Sequence, residues 1–326
     1  MVMALEIDTL LFLTLNTRFY RIVYMPLEVD FAIGWDWEYD RDFISMLDFE
    51  CNKRGLQSYL VYPHNVDETI AKLSAGEITF KVFLDRASES DNRFIPLIKL
   101  LRKRGAHFVN DPNLSARAND KSIMHLEFLS NGLYVPYTII LSSYEENPQF
   151  DESNIHFIGT PFIVKPADGG GGRGVVLGVK TPYDIVKARE KHSKDKYLLQ
   201  EEIIPIIIKG RKAWFRSYYI YGKVIICWWD NQTGIYQRVT SRAERRYKLK
   251  EIARVTKKIT DITRINFLST EIALTKAGRF VVVDYVNDTC DMRLKSKALD
   301  GVPDDVVRDI VRELVDGVKK IVKGKR

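Results

Sequence analysis

The chain has 326 residues, 45% of them hydrophobic and 29% charged, with a formal net charge of +7. This is the profile of an ordinary soluble globular protein, long enough for two or three lobes around a large core. Its three cysteines, Cys51, Cys227 and Cys290, are far apart and lack a CxxC spacing, which excludes a disulfide framework and a structural zinc site and fits a reducing, cytoplasmic setting. The positive charge calls for anionic partners, a need that nucleotides or phosphorylated metabolites meet as well as nucleic acid does.

The first apolar stretch, ALEIDTLLFLTLNTRFYRIVYM, is interrupted by Glu6, Asp8, Arg18 and Arg21 and has no basic segment before it. It reads neither as a membrane span nor as a signal peptide. MPLEVDFAIGWDWE reads as a natural beginning at Met25, so residues 1–27 are expected to be an extension or a misassigned start. From there strands and helices alternate. FAIGWDW is a strand; Asp40 to Arg54 is a helix with Phe43, Met46, Leu47 and Cys51 on one face and Gly55 as its stop. Strand SYLVY, a helix over Asp67–Leu73, strand TFKVFL, a helix over Asp91–Arg104 and strand AHFVN follow. This alternation predicts a parallel sheet covered by helices over 28–112, an α/β unit of Rossmann-like type.

The pattern then changes. Asn119 or Asp120 caps a helix that ends at Asn131-Gly132, and Pro136 opens a strand. PFIVK and GVVLGV form a hairpin, and YLLQEEIIP is a further strand. Two hairpins turn at Tyr221-Gly222 and at Ala277-Gly278. Asp304 to Val322 is an amphipathic helix, with Val307, Ile310, Val311, Leu314, Val315, Val318 and Val322 on one face. This half is expected to be α+β and mostly antiparallel.

One stretch carries chemistry: FIVKPADGGGGRGVVLG, residues 162–178. It is not a Walker loop, since no GK[ST] follows, nor a dinucleotide fingerprint, since a strand rather than a helix comes next. Gly169, Gly170, Gly171, Gly172 and Gly174 leave a hairpin tip that is nearly all backbone. Such a tip serves either as a flexible turn or as a cover whose N–H groups close over phosphates. Lys165 leaves the strand just before it, and Arg173 adds a charge within it.

Glu271 and Asp284 flank the turn at Gly278 about equally, so they are expected side by side on adjacent strands. Unless they are simply two solvated carboxylates, a cation must join them, and Mg2+ bound with nucleotide phosphates is the natural one. Asn287 offers a third oxygen. Strand alternation places residue 282 on the face of 284 and residue 273 on that of 271.

In order and spacing these features resemble the ATP-grasp superfamily of carboxylate–amine ligases, over residues 30–326. The resemblance implies a pre-ATP-grasp domain over 28–112, a small subdomain with the glycine hairpin over 113–200, and a C-terminal subdomain with the metal site and last helix over 201–326. Asp120-Lys121 with Gly132, Val135, Pro136 and Thr138 matches the family's DK pair and GxxVPxT segment, and implies that Lys121 meets a nucleotide phosphate. Lys165 would meet the α-phosphate. Gln200, Glu201, Glu202 and Ile203 resemble the hinge that reads adenine. Arg216 resembles a strand arginine of the catalytic centre, and Arg238 and Arg242 would join it there. Glu271, Asp284 and Asn287 resemble the metal ligands, for Mg2+ or Mn2+. Two departures stand out. The family writes Glu-x-Asn where this chain writes Asp284-Tyr-Val-Asn287, so either a bulge intervenes or Asp288 substitutes. Where an acidic residue is expected to hold the ribose, Lys209, Arg211 and Lys212 stand.

The implied reaction is phosphorylation of a substrate carboxylate by ATP, then attack by an amine on the acyl phosphate. Small-molecule carboxylate and amine substrates are the expected partners, rather than nucleic acid or membrane, and a homodimer is compatible. Trp37, Glu38 and Asp40 follow the first strand, where α/β sheets place ligand loops, though an ordinary solvated loop and helix cap reads the same way. The basic segment 237–248 reads as a mobile flap over the acyl phosphate or as a solvated helix start. A small-molecule kinase on the same fold and a non-catalytic nucleotide- or nucleic-acid-binding protein are the alternatives.

Overall fold

The computed structural model describes residues 26–324; the stretch read as an extension falls almost wholly outside them. Strands β1 (Leu27–Trp35), β2 (Ser58–Val61), β3 (Ile78–Arg86) and β4 (His107–Val109) alternate with helices α1 (Arg41–Lys53), α2 (Val66–Ala75) and α3 (Phe94–Lys103). The strands form a parallel sheet in the order β2-β1-β3-β4. Its two faces are both apolar, as β-α alternation requires. Ala32, Phe80 and Phe83 pack with Leu73 of α2 and Leu97 of α3. Phe31, Ile33 and Val82 pack with Phe43 and Leu47 of α1.

The middle of the chain holds α4 (Pro112–Asn119), α5 (Lys121–Ser130), β5 (Thr138–Leu141), β6 (Phe162–Pro166), β7 (Val176–Val179), α6 (Pro182–Lys191) and β8 (Tyr197–Glu201). The strands pair antiparallel in the order β5-β8-β6-β7. Asp120 caps α5 by accepting from the N–H groups of Ser122 and Ile123, and Thr181 and Asp184 form a reciprocal capping box on α6.

The last part contains the short pair β9 (Ile207–Ile208) and β10 (Arg211–Lys212), then β11 (Trp214–Ile220), β12 (Lys223–Trp229), β13 (Tyr236–Arg238), α7 (Ser241–Arg246), α8 (Lys250–Thr263), β14 (Phe267–Leu274), β15 (Phe280–Asn287) and α9 (Asp304–Gly324). Five of these strands make an antiparallel sheet, β13-β12-β11-β14-β15. Helix α8 covers one face through Ile252, Val255 and Ile259, packed on Phe215, Leu268 and Ile272.

Two features escaped the pattern reading. Helices α4, α6 and α8 lay unassigned because charged or polar residues dominate their exposed turns. The terminal helix α9 does not stay with the sheet that precedes it: Val307, Ile310 and Leu314 share one core with Phe31, Phe43 and Leu47 of the N-terminal layer and Tyr218 and Ile220 of β11. That helix ties the parallel sheet to the antiparallel one.

Candidate active site

The face of the five-stranded sheet turned away from α8 carries a row of charged side chains. Cross-strand pairing places Arg216 of β11 opposite Glu271 of β14, and Glu271 opposite Asp284 of β15. The three form a row across the sheet, so the carboxylates share a face. Asn287 joins them although it lies three residues beyond Asp284, an odd separation that simple alternation sends to the other side. The register shifts between Ser269 and Glu271, pairing Ser269 with Asn287. This bulge turns Asn287 back to the row, where its Nδ2 donates to Asp284 Oδ2 at 3.0 Å.

A second shift, between Glu271 and Ile272, corrects another expectation. Val282 pairs with Ile272 and packs on the α8 side with Phe215 and Leu268. Residue 282 therefore does not share the face of 284; Val281 and Val283 pack instead with Trp214 and Ala273. Asp288 is committed elsewhere, accepting a hydrogen bond from Asn110 Nδ2. Of Asn287 and Asp288, it is thus Asn287 that joins the carboxylates, through its Nδ2. Among the described residues no group of three or more His, Cys, Asp or Glu side chains suits a metal ion.

Each oxygen of Glu271 already has a partner: Oε1 accepts from Arg216 Nη2, and Oε2 from Trp214 Nε1 at 3.1 Å. Burial pushes Glu271 up to about 7, Arg216 opposing the rise and Asp284 adding to it. In the same pair burial works against the charge on Arg216, but Glu271 outweighs it and holds the guanidinium proton more firmly. Burial also works to raise Asp284, yet Lys165, Lys121 and Arg216 hold it below the usual carboxylate range. The two neighbouring carboxylates are thus pushed apart, Glu271 up and Asp284 down.

Lys165 faces this row from β6. It is only 7% exposed, and its Nζ donates to the carbonyl of Val283 at 3.1 Å and lies 5.1 Å above the Tyr285 ring. Burial pushes the ammonium down to about 8, with Asp284 pulling it back up and Lys121 adding to the fall. The Tyr285 hydroxyl meets Gln200 Nε2 at 3.0 Å and His125 Nδ1 at 2.7 Å.

The glycine hairpin lies beside Lys165. Gly169, Gly171, Gly172 and Gly174 all have positive φ, a region closed to most side chains. A Cβ on Gly174 would stand 2.8 Å from Pro166 Cγ. Helix α5 anchors the loop: Lys121 donates its backbone N–H to Ala167 O at 2.9 Å and its Nζ to Gly169 O. Arg173 folds back over Gly169, its Nη2 lying 3.3 Å from where a Cβ would be built there.

Not every expected residue is presented to this centre. Gln200 is buried, and its amide is engaged by Thr138 and Tyr285. Glu201, Glu202 and Ile203 line a cleft of about 310 Å³ with Tyr134, Val135 and Val281. Arg238 shares the sheet face of Arg216 but is held by Asp305 and Asp309 of α9. Arg242 is exposed on α7. The segment 237–248 is the end of β13 followed by α7, a helix capped by the Thr240 hydroxyl, rather than an open loop. Trp37 and Glu38 are exposed after β1, but Asp40 is 1% exposed and locked to Arg86 by bonds of 2.6 and 2.7 Å. This corrects Asp40 from a substrate contact to a strut.

Two participants were missed. Trp214 stands two residues before Arg216 on a strand, so period-two alternation puts both on one face. Tyr285 gave no such signal, because its position depends on the bulges.

No family model matches the chain, and no curated protein does. Solved structures do. D-alanine–D-alanine ligase from Bacillus anthracis complexed with ATP superposes with a TM-score of 0.63 at 15% identity, over 91% of this chain and 99% of that one. The ATP-grasp ligase PsnB, complexed with minimal precursor, Mg and ADP, gives 0.59 at 15% identity over 91% and 99%. A RimK domain ATP-grasp protein from Sphaerobacter thermophilus gives 0.56 at 19% identity over 88% and 98%. The fold of this chain is the ATP-grasp fold.

Proposed function

We propose that the protein is an ATP- and Mg2+-dependent ligase that activates a substrate carboxylate as an acyl phosphate for attack by an amine. The observation that carries this reading is the row Arg216–Glu271–Asp284, completed by Asn287 and faced by the buried Lys165. Solved structures of the same fold hold ATP, or Mg with ADP.

The residues present fit these groups by their chemistry. Two carboxylates and an amide give hard oxygen donors, the kind Mg2+ takes alongside phosphate oxygens. Bound there, the cation would neutralise phosphate charge as the γ-phosphoryl group moves. Glu271, Asp284 and Asn287 would hold it, Glu271 giving up its hydrogen bond from Arg216 to do so. Lys165 and Lys121 would place positive charge on the nucleotide phosphates, and the N–H groups of residues 169–174 would cover them. Arg216, released from Glu271, would face the developing acyl phosphate. Glu201, Glu202 and Ile203 would meet the base in their cleft. The protein need supply only position and charge for this chemistry. No residue of the row is placed as a general base.

A screen of amino-acid and dipeptide pools for ATP-to-ADP turnover with Mg2+ tests the reading. Turnover that needs both a carboxylate and an amine is the expected result. ADP release without any amine would favour a kinase, and no turnover with any pool would remove the support for a ligase.

A further inference from the structure

The positive charge of this chain is not spread over its surface. Between residues 242 and 258 eight Lys and Arg stand against two Glu, a local excess of +6 beside +7 for the whole chain. Arg242, Arg245, Arg246 and Lys248, on and just after α7, are all exposed. Helix α8 buries Ile252, Val255, Thr256 and Ile259 against the sheet. That orientation turns Lys250, Arg254, Lys257 and Lys258 outward, all four exposed, at the spacing of a single helix face. Among the described residues only Arg254 of these eight has an ion-pair partner, Glu251. Arg246 lies over the Tyr247 ring. Other arginines are matched: Arg238 with Asp305 and Asp309, Arg293 with Asp291 and Asp300.

Unpaired like charges on neighbouring turns repel one another and weaken the folded state. The packing does not require them, since α8 is held by its apolar side. An anionic occupant would remove the repulsion. We propose that the exposed face of α7 and α8 docks an acidic segment of a polypeptide.

Three observations favour a polypeptide over other anions. Glu244 and Glu251 stand among the cations around an open cavity of about 330 Å³ that Arg245, Lys248 and Lys250 also line. Fixed carboxylates oppose a continuous phosphate backbone but accept hydrogen bonds from the N–H groups of a peptide. The segment exposes no large aromatic side chain on which a base would stack. It exposes no large apolar side chain to enter a bilayer either. Because α8 covers the sheet face opposite Arg216 and Glu271, this surface is separate from the catalytic centre and does not depend on the ligase reading.

Fluorescence anisotropy with a labelled oligoglutamate, the protein being free of nucleotide, tests the docking surface. Binding is expected, and it should weaken as salt is raised. The pair Lys257→Glu and Lys258→Glu, and separately Arg245→Glu, should weaken it by about tenfold or more. Lys320→Glu, on the exposed side of α9, should not. Thermal melts establish that each variant is folded, and relief of repulsion should leave them unchanged or raised. Three results would overturn the proposal: no binding, binding that survives both reversals, or tighter binding of single-stranded RNA or of phosphatidylserine vesicles than of the peptide.

Discussion

Arg86 and Arg216 are both withdrawn from solvent and both face a carboxylate, yet the two pairs are built differently. Arg86 meets Asp40 through two parallel bonds, of 2.6 and 2.7 Å, and gives a third to the carbonyl of Cys290 at 2.9 Å. Its guanidinium also lies 5.1 Å from the centre of the Phe43 ring. Arg216 holds Glu271 through Nη2 alone, reaches Ser269 Oγ at only 3.3 Å, and leaves its buried Nε without a partner. Asp291 adds a weaker attraction to Arg86 than Asp40 does, whereas the second carboxylate at the other pair, Asp284, lies directly opposite Glu271 across the strands. A pair held by a two-bond fork and a backbone carbonyl fastens the β3 end to α1 and to the chain after β15. A pair with an idle donor and a second carboxylate alongside is open to exchange of partners, which is what a site for metal and phosphate requires.

The largest effect should come from breaking the matched pair. Asp40→Asn leaves Arg86 buried without its counter-charge, and unfolding by denaturant should show a loss of about 3–5 kcal/mol. Glu271→Gln should instead change the unfolding free energy by less than about 1 kcal/mol. Asp284 remains beside Arg216 to balance it, and at neutral pH Glu271, with its pKa near 7, already exists partly in the neutral form. The same variant should abolish turnover. Equal destabilisation by the two changes would erase the distinction between strut and site.

Next in size is Lys165→Ala. Loss of one charge-assisted phosphate contact should weaken nucleotide binding by about 1.5–3 kcal/mol. The fold should hold, because the change removes a buried amine whose charge burial already disfavours. An unchanged nucleotide affinity in a folded variant would exclude Lys165 as a phosphate ligand.

A smaller effect separates Lys165 from both arginines, which stay charged at every accessible pH. The folded protein holds the Lys165 ammonium at about 8 rather than at the usual 10.5. Folding is therefore opposed as pH falls from 10.5 towards 8, where the unfolded chain binds the proton and the native one does not. Nucleotide phosphate reverses that preference. Nucleotide binding in the presence of a chelator should take up roughly half a proton at pH 8 and almost none at pH 6. Calorimetry in buffers of different ionisation enthalpy reads this directly; proton release at pH 8 would contradict it.

The strut and the site were not equally legible in the sequence. Asp40 and Arg86 lie on different elements 46 residues apart, and the sequence pattern does not link them, so Asp40 read as an exposed loop residue. The Glu271–Asp284 pair was legible because the turn at Ala277-Gly278 fixes which residues oppose one another, whereas Arg216 was marked only by the family resemblance, since β12, β13, α7 and α8 separate β11 from β14 in the chain. Asn287 was legible as an anomaly that called for a bulge. The second bulge was not, because register shifts depend on how side chains pack across a sheet rather than on local pattern, and so Val282 was placed on the wrong face. The path of α9 was hidden for a related reason: its apolar stripe says that it is buried but not against which sheet.

The account stands most directly on whether Asp284 and its neighbours hold a metal against a nucleotide. Thermal melts of the wild type and of Asp284→Asn, each with ATP alone and with ATP and Mg2+, measure this through stabilisation by mass action. The wild type should melt higher with ATP, and higher again when Mg2+ is added. The variant should match the wild type without ligand and lose the magnesium-dependent rise. An equal magnesium-dependent rise in both proteins, or none in the wild type, would contradict the assignment of Glu271, Asp284 and Asn287 as the metal site.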